Sequence, residues 1–436
     1  MSILLAAFQP VADSSPKPLS PPDEISRLKV PMYVYNHGTI PTGLEDELRI
    51  DPYGYSYGLY NAGPYLLQGI AMRLFGNIND SDRALLLYGR FINVFLGLIM
   101  AIIVYRLGKI IFRDDRYRWM FCFGVTFLPQ ALFLHTYINT DSCAMLSTAI
   151  IVYAWLTAEE EGYDIKNSLR LSLGIILCAL SYYNAYGYIL CSVILFLGYY
   201  LKKEEGKTTY DYKPMLKRGV LIAAVALLGA GWWFVRAYIV LDGDFIGLAT
   251  AARLKETYGA GLLSADMTYT SRGVSLLNMF KENHFCACVI QSFIAAYGSV
   301  CILTYGFVYH FYRLFFVLGM LGCIGYIWTE RKNLKISYGR ILFHANMAVC
   351  IILPMVLLIH YAYAMDYQAQ GRYIMPALIP FMYYVVKGFE HGEELKIFSG
   401  KTMKRLYRFG TFLVPVVMVI SCVATVIFKA LPLYLH

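Results

Sequence analysis

Charge is scarce in this chain: Asp, Glu, Lys and Arg together make up 15% of 436 residues, where a soluble domain carries about a quarter. Hydrophobic residues reach 58%, which excludes an ordinary water-soluble globule. The sustained polar/apolar alternation of a transmembrane barrel, in segments of about ten residues, is missing as well. The apolar residues come instead in blocks of about 18 or more, the length an α-helix needs to cross a hydrocarbon core of about 30 Å. Helices are therefore the spanning element.

Other absences narrow the function. No Cys-x-x-Cys pair occurs among the ten cysteines, most of which sit inside apolar blocks and read as small core hydrophobes. Cys286 and Cys288 are separated by one residue, too close in sequence to bridge each other. His310, His344 and His360 lie in or beside apolar blocks and form no His-x-x-x-His or Glu-x-x-His spacing, so no metal site is expected. There is no G-x-x-x-x-G-K-[ST] loop and no strand-led G-x-G-x-x-G, which argues against a nucleotide cradle. The net charge of +9 comes from Lys and Arg in short loops rather than from one basic stripe, so no nucleic-acid partner is expected.

What is present is a polytopic pattern. Ten spans are expected at 85–112, 118–135, 141–158, 168–183, 185–201, 216–241, 311–328, 341–363, 373–389 and 407–430. The loops 106–118, 202–218, 329–340 and 387–408 are rich in Lys and Arg, whereas 10–84, 241–300 and 364–372 are poor in them. The positive-inside rule places the first group in the cytoplasm. Threading the spans in order lands every basic loop on that same face. The expected architecture is an all-α integral membrane bundle of about 10–11 transmembrane helices with two long extracytoplasmic loops.

Its parts are a first loop over 1–84, six helices over 85–241, a large loop with an interfacial helix over 242–310, and four helices over 311–436. Starting the chain outside calls for a further helix upstream of the short apolar stretch at 3–8, or for a processed mature end. An amphipathic stretch at 64–75 reads as an interfacial helix, and the apolar stretch 285–304 as a re-entrant or interfacial one.

Four polar elements fall on the face expected to lie outside. Pro21-Pro22-Asp23-Glu24 offers a carboxylate pair able to act as a general base. It also reads as a helix start, with Ser20 as N-cap and Pro21 in the first turn. In Tyr137-Ile138-Asn139-Thr140-Asp141, a tight turn between two spans, Asp141 is explained equally by helix capping and by ligand binding. Arg236, among Trp232, Trp233 and Phe234 and followed by Asp242 and Asp244, either snorkels to the interface or grips a phosphate with its planar fork. Gln368 to Tyr373 contains Arg372, the one basic residue of its short outer loop, which makes a purely topological role unlikely to be its reason.

Taken in order, these elements resemble a family of bacterial membrane proteins of unknown function related to the GT-C glycosyltransferases. The resemblance rests on Pro21 to Glu24, on Tyr137, Asn139 and Asp141, on Trp233, Arg236 and Asp244, on Ser292 to Gly298, and on Gln370, Gly371, Arg372, Tyr373 and Pro376. It departs at Arg27, where the family usually has His, at Ala62-Gly63 in place of His-Pro, and at Ala237 in place of Asn. The resemblance implies a GT-C-like fold in the bacterial plasma membrane. It also implies transfer of a sugar from a polyprenyl-phosphate donor to an extracytoplasmic glycan, lipid or protein.

In that reading Asp23 and Glu24 are the catalytic carboxylates and Arg236 and Arg372 bind the donor phosphate. Tyr137, Asn139, Asp141, Asp244, Gln370 and Tyr373 contact substrate. A divalent metal would assist at the phosphate in some relatives, but no ligand set stands out beyond Asp23, Glu24 and Asp141. The alternatives are a lipid-linked-sugar flippase or transporter, and a non-catalytic subunit of a cell-surface glycan pathway.

Overall fold

The computed structural model describes residues 1–11, 18–201, 212–260, 268–282, 284–330, 337–395 and 400–435. The basic stretches 202–211, 331–336 and 396–399, which carry part of the charge asymmetry above, lie outside the described residues. The described chain is nearly all helical, with one two-stranded hairpin pairing Ala296–Tyr297 with Ile302–Leu303.

Each expected span falls on helix. Among the described residues six helices are long and apolar enough to cross a membrane: Asp82–Ile111, Asp141–Glu161, Tyr212–Val240, Gly306–Thr329, Tyr338–Ala364 and Lys401–Leu435. The other four spans lie on shorter helices: Asp115–Thr126 (continued by Pro129–Leu134), Ile165–Ala179, Gly187–Tyr200 and Leu378–Gly392. Pro129 divides the second span because it has no amide hydrogen to donate within a helix and disfavours helical backbone in Leu128 before it.

Local chemistry sets the helix ends. Ser81 accepts from the amide of Ala84, Asp114 from Arg116 and Asp164 from Asn167, each satisfying a donor that the first turn leaves open. The Asp141–Glu161 helix is the centre of the bundle, with 89% of its most apolar stretch buried against 22% for Tyr212–Val240. It packs on the Asp82–Ile111, Ile165–Ala179, Gly187–Tyr200 and Leu378–Gly392 helices. Outer helices turn Leu98, Ile102, Leu228, Ile239, Leu321 and Ile352 outward, as a lipid-facing surface requires.

The Gly306–Glu330 and Leu378–Gly392 helices meet through glycine. A Cβ on Gly388 would stand 1.7 Å from the Gly319 carbonyl oxygen, so only two glycines allow this approach.

The first loop supplies helices at Glu24–His37 and Gly63–Gly76. The second buries Tyr65, Gln68 and Met72 and exposes Leu67, Ile70 and Leu74, the two-sided pattern of a helix lying in an interface. The stretch expected as a re-entrant or interfacial helix at 285–304 is helical only over Phe285–Ile294 and continues as the hairpin. The hairpin turns at Gly298 (φ +58°), where a side chain would meet the carbonyl of Pro18 at 2.9 Å.

Candidate active site

Asp23 corrects the expectation of an ordinary helix start at Ser20 and Pro21. The helix begins at Glu24, and Asp23 occupies the N-cap with φ 61° and no side-chain capping bond. A left-handed conformation in a residue other than glycine costs of order 1–3 kcal/mol and persists where surrounding contacts hold it. Here the contacts are arginines. Arg372 Nη2 donates to Asp23 Oδ2 at 3.0 Å, and Arg27 Nη2 lies 3.6 Å from the same oxygen.

Arg27 also reaches Asp141, with Nη1 3.9 Å from Oδ2, donates to the Tyr65 hydroxyl at 3.4 Å and lies over the Tyr57 ring at 4.9 Å. Four elements distant in sequence thus meet: the start of the Glu24–His37 helix, the loop before Gly63–Gly76, the start of Asp141–Glu161 and the 371–377 turn.

The 371–377 turn is held by the helix before the hairpin. Gly371 donates its amide to Ser292 Oγ at 2.8 Å, and a Cβ on Gly371 would lie 2.2 Å from the Phe293 nitrogen. A glycine therefore lets the two backbones touch and fixes the root of Arg372. The Tyr373 hydroxyl accepts from Arg372 Nη2 at 3.1 Å and donates to Gln368, which in turn donates to Asp366 at 2.6 Å. Gln370 joins this chain by donating to Gln368 at 3.4 Å.

The electrostatics are unequal on the two sides of the ion pair. Asp23 is 41% exposed, whereas Arg372 is 4% exposed. Burial alone would raise the Asp23 carboxyl, but the charges and hydrogen bonds of Arg372 and Arg27 outweigh it and hold it below the usual carboxylate value. Arg372 uses one nitrogen for Asp23 and Tyr373, while its Nε and Nη1 are buried without an acceptor, as is Arg27 Nε. The buried Tyr137 hydroxyl lies against Arg372, which can only donate, so the Tyr137 O–H itself meets no acceptor. A buried donor left unmet costs about 1–3 kcal/mol, so these donors are open to an oxygen acceptor from outside the protein.

The remaining site residues go elsewhere. Glu24 is fully buried: Arg90 forks both of its oxygens and the Ile138 amide donates to Oε1 at 2.9 Å. Arg90 also donates to the carbonyls of Ala6 and Gln9, each at 2.8 Å, so this pair ties the amino end of the chain to the bundle. Asn139 donates to the carbonyls of Leu134 and Tyr137 and accepts from Ser142, which shapes the turn.

Arg236 is expected at a phosphate. It donates instead to the carbonyls of Ile40 and Pro41 at 3.1 and 2.8 Å, beside Trp233, and shares no contact with Asp23 or Arg372. Asp244 accepts from the amides of Gly247 and Thr250 at 2.9 and 2.8 Å and so caps the Leu248–Tyr258 helix. Those backbone donors hold its carboxyl low against the opposing effect of burial.

The sequence reading singled out neither Arg27 nor Arg90 as a functional residue. A signal existed for each: Arg27 stands four residues after Asp23, the spacing of a helical ion pair, and Arg90 interrupts an apolar span.

Among the described residues no group of three or more His, Cys, Asp or Glu gathers as a metal site. Asp23 and Asp141 are both shared with arginines. With both carboxylates engaged by arginines, the cluster does not fit a resident divalent cation.

Comparison with known proteins agrees with this architecture. Over its full length the chain is similar in structure to the Archaeoglobus fulgidus oligosaccharyltransferase in a complex with zinc and sulfate, at a TM-score of 0.51 and 14% identity. Over 99% of the chain it is similar to the same organism's oligosaccharyltransferase AglB, solved with an inhibitory peptide and a dolichol-phosphate, at 0.51 and 15% identity. The chain spans 53% and 55% of those two longer proteins. ArnT from Cupriavidus metallidurans, bound to undecaprenyl phosphate, aligns over 99% of this chain and 72% of its own, at a TM-score of 0.49 and 12% identity.

At these identities the likeness shows the fold alone, the one shared with the two oligosaccharyltransferase structures. No curated protein sequence matches. Residues 45–381 match the family described as predicted membrane protein DUF2142. The chain belongs to that family.

Proposed function

We propose that the protein is a membrane glycosyltransferase that moves a sugar from a polyprenyl-phosphate donor to an acceptor on the outer face of the bacterial plasma membrane. The observation that carries this reading is Arg372: buried, joined to Asp23 through one nitrogen, with two further donor nitrogens that meet no carboxylate or carbonyl and lie against the Tyr137 hydroxyl. A phosphate supplies the acceptors that these donors lack, and a guanidinium fork matches its oxygens.

The acceptor hydroxyl attacks the anomeric carbon of the donor. Its proton passes to Asp23, the bond from that carbon to the phosphate oxygen breaks, and the polyprenyl phosphate leaves carrying the bonding pair. Arg372 and Arg27 neutralise the charge that grows on the phosphate. Arg27 thereby takes the place expected of Arg236, which clamps the first loop. Tyr137, Asp141, Gln370 and Tyr373 border the reacting groups, while Glu24, Asn139 and Asp244 hold the frame.

The pairing of Asp23 with two arginines leaves it a weak base until a donor binds, since a base acts best when its pKa lies near the working pH. An incoming phosphate offsets the arginine charge and raises the carboxyl again. The base is therefore strengthened by donor binding.

A transfer assay with a radiolabelled polyprenyl-phosphate sugar tests this. Asp23→Asn lowers transfer by about 10²- to 10⁴-fold, the usual contribution of a positioned base. Transfer by Asp23→Asn at the wild-type rate would remove Asp23 from the chemistry.

A further inference from the structure

Next to Asp23 the first loop carries the sequence Tyr53-Gly54-Tyr55-Ser56-Tyr57-Gly58-Leu59-Tyr60. The Tyr53 and Tyr55 rings meet at 6.2 Å and the Tyr55 and Tyr57 rings at 5.9 Å, each edge to face, and Tyr60 closes on Tyr55 at 5.9 Å. A second group comes from the other end of the chain, where Tyr361 meets Tyr373 at 6.2 Å. Tyr361 lies close enough to Tyr57 and Tyr60 for their hydroxyls to interact electrostatically. Asp23 acts in the same way on Tyr53, Tyr55 and Tyr57. Arg27, which contacts Asp23, lies over the Tyr57 ring.

Tyr55 and Tyr60 rest against an aliphatic cluster of Leu59, Ala237, Leu241 and Ala251, but the wall as a whole is not closed to water. This wall has six tyrosines from two separate segments. Tyr53 and Tyr361 are 41% and 38% exposed. Among the described residues the hydroxyls of Tyr53, Tyr60 and Tyr361 donate to no protein acceptor. Tyrosine offers a rigid apolar face with a polar tip and loses little rotamer freedom on binding. A sugar ring has the matching surface: a face of C–H groups and an edge of hydroxyls.

We propose that the tyrosine wall formed by Tyr53, Tyr55, Tyr57, Tyr60, Tyr361 and Tyr373 is the acceptor subsite and that the acceptor is a carbohydrate. The assignment to the acceptor rests on the transferase reading, with Arg372 on the buried side holding the donor and the wall on the open side of Asp23. Recognition of a sugar ring does not depend on that reading.

Saturation-transfer difference NMR on the full chain in lipid nanodiscs, with a panel of methyl hexopyranosides and methyl pentofuranosides, tests the subsite. Saturation is expected at ring C–H protons of at least one glycoside. Tyr55→Ala and Tyr361→Ala should each weaken the binding by roughly 2- to 10-fold, the loss of one aromatic contact. Tyr55→Phe should retain it, which separates loss of the ring from loss of the fold. Unchanged binding in both alanine variants, or no saturation of any glycoside by the wild type, overturns the subsite.

Displacement of the glycoside by a polyprenyl-phosphate sugar overturns the acceptor assignment, since the donor ring would then occupy the wall. Transfer to a non-carbohydrate acceptor without glycoside binding removes the subsite and leaves the transferase standing. Glycoside binding with no transfer from any polyprenyl-phosphate sugar leaves the sugar site and removes the transferase.

Discussion

Two ionic clusters sit at opposite ends of the Leu378–Gly392 helix, and they are built to different ends. Beyond its carboxyl end, Arg116 donates through Nε and Nη2 to Asp114, through Nη2 to Glu393 at 2.9 Å and through Nη1 to Thr411 at 3.2 Å. Glu393 also accepts from Tyr117 at 2.8 Å and Arg408 at 2.6 Å. Every nitrogen of Arg116 is engaged. Before the amino end of the same helix, Arg372 engages one nitrogen and leaves two buried and unmet. About 22 Å of helix separates the two arrangements, at 1.5 Å per residue over 15 residues. A fully paired cluster ties helix ends together; a partly paired one keeps donors for a ligand.

The largest effect is expected at the buried pair that ties the amino end to the bundle. Glu24→Gln leaves Arg90 as an uncompensated buried charge and should destabilise the fold by about 3–5 kcal/mol, read as a lower melting temperature in detergent. A melting temperature equal to wild type would show that the pair is not needed for the fold.

Next comes a direct contrast of the two clusters. Arg372→Lys replaces the fork by a point charge and should lower transfer by about 10²- to 10³-fold, while Arg116→Lys leaves the rate of the folded enzyme unchanged. Equal losses in both would erase the distinction drawn above. Removing the staple affects stability instead. Arg116→Ala should cost about 1–3 kcal/mol, the range for hydrogen bonds to charged groups, and denaturation monitored by tryptophan fluorescence would report it.

The smallest effect concerns pH. The Asp23 carboxyl in the folded protein lies below its ordinary value, through Arg372 and Arg27 against burial. Its stabilising contribution is therefore complete above the ordinary Asp value of about 4 and is lost only as pH falls through the lower folded value. The difference in melting temperature between wild type and Asp23→Asn should stay constant from pH 8 to about pH 5 and shrink below about 4. A difference that already declines at pH 6 would place the carboxyl above its ordinary value and contradict the ion pair.

Much of the fold is legible in the linear chain, because a membrane span needs a long apolar block and each of the ten blocks became helix. What escaped is where short elements break. Pro129 splits the second span, and the stretch from 285 to 304 turns into a hairpin at Gly298. The site is legible in part. Asp23 and Arg372 fall in outward polar elements, and the fold brings them to 3.0 Å. Asp23 and Glu24 look equivalent in sequence, but a left-handed residue followed by a helix sends adjacent side chains in different directions, one half-exposed against two buried arginines and one into the core. Arg236 and Arg372 also look equivalent. Which one is joined to Asp23 depends on partners far off in the chain, since Arg236 is drawn to the carbonyls of Ile40 and Pro41, nearly two hundred residues away, and Arg372 to Asp23, and no local pattern encodes that.

The measurement that bears most directly on the account is binding of undecaprenyl phosphate, without any sugar, to the purified full chain by native mass spectrometry. Wild type and Arg116→Lys should bind it equally, and Arg372→Lys should bind at least about tenfold more weakly, the cost of replacing a bidentate fork on phosphate. Equal binding by wild type and Arg372→Lys would show that the open nitrogens of Arg372 are not a phosphate site.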